Sequence, residues 1–96
     1  MNRSDYLFII GYSEDVAVVD LQSKKRYGKL NTAELLEKGL LKAAFCSADF
    51  AVSKQEFGLV QSCLKKLTGR DYSIDDMRKL FGVFGIPPGI KRLTLV

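Results

Sequence analysis

Three glycines, Gly82, Gly85 and Gly89, lie between basic residues in RKLFGVFGIPPGIKR, residues 78–92. A glycine-rich loop beside a lysine can wrap phosphate with backbone N–H groups, as the pattern G-x-x-x-x-G-K-[ST] does. Here Ile90 separates Gly89 from Lys91, and Pro87 and Pro88 remove two of the N–H donors such a cradle uses. The phosphate loop is therefore excluded. Gly82-Val83-Phe84-Gly85 matches the bare G-x-x-G of an RNA-backbone clamp, but the enclosed pair is apolar and the prolines stop any following helix. The same prolines exclude a helix-turn-helix. What fits is a helix capped by Gly82, then a type II turn with Pro88 at i+1 and Gly89 at i+2. Val83, Phe84 and Ile86 then form a small apolar surface, rimmed by Arg78, Lys79 and Arg92, that is expected to meet a protein partner.

A second constellation is KKRYGK, residues 24–29. Lys24, Lys25, Arg26 and Lys29 could track a phosphate backbone while Tyr27 stacks on a base. The spacing predicts that these residues form a hairpin tip and an exposed edge strand, so nucleic acid is the alternative partner.

Enzymatic chemistry has little to build on. The chain has no histidine, the side chain most often recruited for proton transfer. Asp15 and Asp20 flank an apolar run at odd spacing and point to opposite faces of a strand. Glu34, Glu37, Asp75 and Asp76 are accounted for by helix N-termini, and no nucleophile has a base partner in view. The expectation is a small non-enzymatic protein-interaction or regulatory module with no cofactor. Cys46 and Cys63, with no C-x-x-C and no histidine, cannot supply the four ligands of a zinc site. They are expected as two buried thiols.

Composition bounds the rest. The 96 residues, 47% hydrophobic and 27% charged, are expected to form one soluble domain. No apolar run approaches the roughly 20 residues of a membrane span, and the N-terminal stretch lacks the cleavage site of a signal peptide. A cytoplasmic protein that binds no membrane is expected. The net charge of +4 is uneven: residues 1–23 hold one basic and four acidic side chains, and residues 24–96 hold fourteen and seven.

The elements that must carry these groups follow from period and punctuation. YLFIIGY (6–12) and VAVVDL (16–21) read as two buried strands joined by a polar turn, with QSKK turning into a weaker third strand, RYGKL (26–30). Asn31 and Glu34 open a helix that either ends at Gly39, with Leu40 folding back, or runs on through LLKAAFCSADF. Ser53 and Glu56 open the clearest amphipathic helix, closed by Gly69, and Ser73 and Asp76 open another. IKRLTLV (90–96) reads as a half-buried strand. Strands followed by helices give an α+β fold: an N-terminal antiparallel β-meander over residues 5–30, about three helices, and a C-terminal strand returning to the sheet. The expected core is Leu7, Phe8, Ile9, Val16, Val18, Leu36, Leu41, Phe45, Phe57, Val60, Leu64, Leu67, Met77, Leu80 and Leu93.

Overall fold

Asn2 and Asp5 set the first element. The Asp5 N–H donates to Asn2 Oδ1 (3.0 Å) and the Asn2 N–H to Asp5 Oδ2 (3.2 Å), a capping box that satisfies two free donors and winds Arg3–Leu7 into a helical turn, α1. The computed structural model describes residues 1–96, and it is α+β, with six helices and a three-stranded mixed sheet. Its contacts divide the chain into two compact units: residues 1–29 with 85–96, and residues 30–84.

In the first unit, α1 is followed by β1 (Ile9–Ser13) and β2 (Val16–Val19), which pair antiparallel around Glu14 and Asp15. The strand expected over 6–12 is thus shortened, because the capping box claims its start. A register shift between Ile9 and Gly11 leaves Ile10 bulged out and exposed. On β2 the buried residues are Ala17 and Val19, while Val16 and Val18 are half-buried, the opposite phase from that expected. A one-residue phase error moves every side chain to the other face.

The third strand of the meander does not form. Asp20 caps a helix instead, accepting from the Ser23 N–H (3.3 Å) and Ser23 Oγ (2.7 Å), and Leu21–Tyr27 form α2. Gly28 follows in αR conformation. A Cβ there would lie 2.4 Å from the Lys24 carbonyl oxygen and 3.0 Å from Ser4 Cβ, so the glycine lets α1 approach the end of α2. The last strand, β3 (Arg92–Leu95), does return to the sheet, but parallel to β2, which makes the sheet mixed rather than antiparallel. A parallel neighbour needs a long crossover, and residues 30–84 lie between the two strands.

The second unit is helical: α3 (Thr32–Glu37), α4 (Leu41–Ala51), α5 (Lys54–Thr68) and α6 (Ile74–Phe81). Asn31 and Ser73 make capping boxes with Glu34 and Asp76, and Ser53 caps α5. Gly39, at φ +76, resolves the question of the first helix. Its N–H reaches the Leu36 carbonyl and that of Leu40 reaches Leu35, a Schellman motif that ends α3 and lets α4 start in a new direction. Phe45 lies at the centre, its ring 5.4 Å from that of Phe57 and 5.5 Å from that of Phe81. Leu35, Val60 and Met77 are fully buried with it, and Leu64 is nearly so.

Several expected core residues lie elsewhere. Leu67 is exposed because the last turn of the 15-residue α5 outruns the 11-residue α4. Leu80 is exposed because α6 turns Ile74, Met77 and Phe81 inward and leaves Leu80 on its flank. Leu93 on β3 is exposed, and Phe8, Ile9, Leu36 and Leu41 are half-buried. Conversely, Ala43, Ala44, Cys46, Ser47 and Ala48 are buried with Phe45, so α4 is enclosed almost all round. Cys63 is half-buried, not buried.

Candidate interaction surfaces

The register of the sheet sorts its side chains. Tyr12, Ala17 and Leu93 align across one face, with Ile9, Val19 and Leu95 in the next row. In both rows the central residue is fully buried, whereas Leu93 and Leu95 on β3 are 40% and 46% exposed. The apolar layer therefore continues onto β3 and stops there uncovered. The N–H groups of Arg92 and Val96 donate to the carbonyls of Asp15 (3.1 Å) and Val19 (3.0 Å), so they point at β2. By the two-residue alternation of a strand, the backbone groups of Leu93 and Leu95 point away from β2, along an edge with no strand beside it. Arg92 and Thr94 lie on the other face with Val16 and Val18, and Arg92 Nη2 meets Asp15 Oδ1 at 2.9 Å.

The residues expected to form one apolar surface are placed differently from one another. Val83 is 8% exposed and belongs to the core of the helical unit. Gly82, at φ +69, turns the chain so that the Val83 N–H bonds the Arg78 carbonyl (3.0 Å) and folds Val83 back. Phe84, in the same unit, is 72% exposed. Arg78 is engaged, its Nη2 2.7 Å from Asp49 Oδ1 and its guanidinium 5.6 Å over the Phe45 ring. Lys79 is exposed in the last turn of α6. Ile86 is exposed, and it and Arg92 belong to the sheet-containing unit. Gly89, at φ +90 after Pro88, occupies the turn position expected of it.

The basic segment forms no hairpin. Lys24, Lys25, Arg26 and Tyr27 make the last turns of α2, and Lys29 follows Gly28. Lys24 turns inward, with Nζ 2.5 Å from the buried Asp5 Oδ1. Burial works to raise the Asp5 pKa, but the Lys24 hydrogen bond, the Asn2 backbone N–H and the Lys24 charge outweigh it and hold the carboxyl below its ordinary value. Hydrogen bonds from Ser23 likewise hold Asp20 low. Lys25, Arg26 and Lys29 have no carboxylate within ion-pair distance. The Arg26 guanidinium lies 5.6 Å over the Tyr27 ring, which itself packs 6.3 Å from the ring of Phe8. Gln22, Ser23, Arg26 and Tyr27 line a shallow depression. Gln22, Ser23 and Arg3 carry no signal of their own in the sequence; the Asp20 cap that starts α2 and the Asn2 cap that starts α1 are the features that reveal them.

A second depression, in the helical unit, is lined by Gln61, Ser62, Lys65, Lys66, Asp71 and Tyr72. Several of its polar groups are engaged: Gln61 Nε2 donates to the Tyr72 carbonyl (2.8 Å), and Lys65 pairs with Asp71 (3.3 Å). Buried polar groups are also tied together, Ser47 and Thr32 sharing a hydrogen bond of 2.8 Å and Thr32 donating to Glu56. Burial pushes the Cys46 thiol up to about 12, which keeps it protonated and unreactive. No group of three or more cysteine, aspartate or glutamate side chains is gathered so as to hold a metal ion, and no helix is long and apolar enough to cross a membrane. Compared with known proteins, the chain matches no family model, no curated sequence and no solved structure.

Proposed function

We propose that this protein is a non-catalytic interaction module that takes an extended segment of a partner protein as an added strand on the free edge of β3. The observation that carries this reading is the uncovered end of the apolar layer. Ala17 and Val19 are fully buried, and the residues beside them in register, Leu93 and Leu95, are nearly half exposed. An added strand would cover those leucines and pair the outward backbone groups beside them. Main-chain hydrogen bonds then supply affinity, and alternate side chains supply specificity. Arg92, already expected to touch a partner, sits at the start of this edge with its charge offset by Asp15. Edge strands left open in this way are usually blunted by charge, and β3 has its cations, Lys91 and Arg92, only at its beginning.

Selection of random ten-residue peptides on the protein, run in parallel on a Leu93→Lys/Leu95→Lys variant, tests this. Enrichment of peptides with alternating apolar residues on the wild type alone is the expected result. Amide exchange at Leu93 and Leu95 should slow when such a peptide is added. Equal enrichment on the variant, or binding that leaves these two amides unprotected, overturns the proposal.

A further inference from the structure

We infer that the C-terminal end of α2 binds the backbone of single-stranded nucleic acid, with Lys25 and Lys29 on phosphates and the Arg26 guanidinium, lying over Tyr27, as a stacking plane for a base. This surface is separate from the β3 edge and does not depend on it. The cations at the end of α2 divide by task. Lys24 neutralises Asp5, and Arg3 Nη1 caps the helix end by donating to the Gly28 carbonyl (3.1 Å). Those two satisfy the buried carboxylate and an open carbonyl, and the helix dipole needs little more. Lys25, Arg26 and Lys29 remain with no acidic partner. Asp20, held at the other end of α2, is about 9 Å along the axis from Arg26, roughly a Debye length.

Lys25 and Lys29 are four residues apart on a helical path that Gly28 continues in αR conformation, so they share a face. Arg26 is held over Tyr27, which is itself packed on Phe8. A guanidinium resting over an aromatic ring has less freedom to lose when a base stacks on it, and unpaired bases stack on guanidinium planes as they do on aromatic rings. Gln22 beside it, an exposed residue lining the same depression, offers a side-chain amide to a base. An anionic lipid surface would need apolar side chains to insert from the same face, and α2 exposes Gln22, Lys25 and Arg26 instead. The observations favour nucleic acid.

The test is fluorescence anisotropy of labelled dT12 and U12 with the full chain, titrated in salt. Two to three phosphate contacts predict a slope of log K against log salt of about −2. Lys25→Ser/Lys29→Ser should reduce the slope by about 1.4, at about 0.7 per phosphate. Arg26→Lys keeps the charge and loses the plane, so it should weaken binding by roughly tenfold with the slope unchanged. Arg26 is exposed, so the fold is not at stake, and thermal melts of each variant confirm that. No binding of either oligonucleotide at low salt overturns the inference. So does equal binding by Arg26→Lys, which would mark a general polyanion surface, or binding only to vesicles containing phosphatidylserine.

Discussion

Asp5 is a buried carboxylate in an ion pair with Lys24. Removing one side of such a pair leaves a charge in a place where water cannot compensate it. Breaking a buried ion pair costs about 3–5 kcal/mol, and Lys24 is one-quarter exposed, so Lys24→Ala should cost roughly 2–3 kcal/mol in urea unfolding. The pH dependence follows from the direction of the shift. The Asp5 pKa is held below the ordinary carboxylate value, so its contribution is fully present above that ordinary value, about 3.9, and is lost as pH falls through the lower, folded value. In Lys24→Ala both Lys24 contributions are lost and burial is opposed only by the Asn2 N–H and the N-terminal charge, so the Asp5 pKa rises from its wild-type position and the gap between wild type and variant should narrow below about pH 4. A gap that stays constant from pH 7 to 3 would show that the two side chains are not coupled. Val52 is a different kind of strain. It holds φ +49 at the end of α4, where the Ser53 and Val52 N–H groups close a Schellman motif on Ala48 and Asp49, and it is 84% exposed. A β-branched residue in the left-handed region costs about 1–2 kcal/mol. Glycine there relieves the strain at some entropic cost, so Val52→Gly should stabilise by about 1 kcal/mol. A loss of stability would show that the Val52 side chain makes a contact the strain supports.

At the scale of elements, caps were the most legible signals and hydrophobic runs the least. Ser53, Gly69, Ser73 and Gly82 mark the ends of α5 and α6 where the sequence places them. The same grammar stands in Asn2-x-x-Asp5 and Asp20-x-x-Ser23, and there the caps prevail and start α1 and α2 although the apolar runs beside them, YLFIIGY and VAVVDL, read as strand. Short apolar runs do not distinguish strand from buried helix. Burial of α4 was hidden because alanine, serine and cysteine leave no periodic trace of large side chains, and the phase of β2 was hidden because all its residues are apolar. Of the proposed surfaces, the cations of α2 were legible by composition although their element was not. The β3 edge was not legible, since Leu93 and Leu95 alternate as they would in a covered strand. The segment after α6 allows a sharp check. Val83 is folded back into the core by the Gly82 turn, and Phe84 is not. Val83→Ser should cost about 1.5–3 kcal/mol, the transfer value of a buried valine side chain, and Phe84→Ser should stay within about 0.5 kcal/mol. The reverse order in urea titrations would mean that Phe84, not Val83, is the residue the turn buries.

At the scale of the whole molecule, the two units differ in how far along the chain their contacts reach. In residues 30–84 the packing is between near neighbours in sequence, α3 on α4 and α4 on α5. In the other unit, β2 pairs with β3, joining residues 16–19 to residues 92–95 across the entire helical unit. Closing so long a loop costs entropy before any contact repays it, and non-local pairing slows folding for that reason. The helical core should therefore be largely formed in the transition state, while the completed sheet forms after it. Val60 and Val19 give a matched comparison, since each is a fully buried valine, one in α5 and one in β2. Truncation of either to alanine removes two methyl groups and should cost roughly 2 kcal/mol, enough for a reliable kinetic ratio. Val60→Ala should chiefly slow folding, and Val19→Ala should chiefly speed unfolding. If Val19→Ala slows folding as much as Val60→Ala, the sheet belongs to the folding nucleus and the long loop closes early.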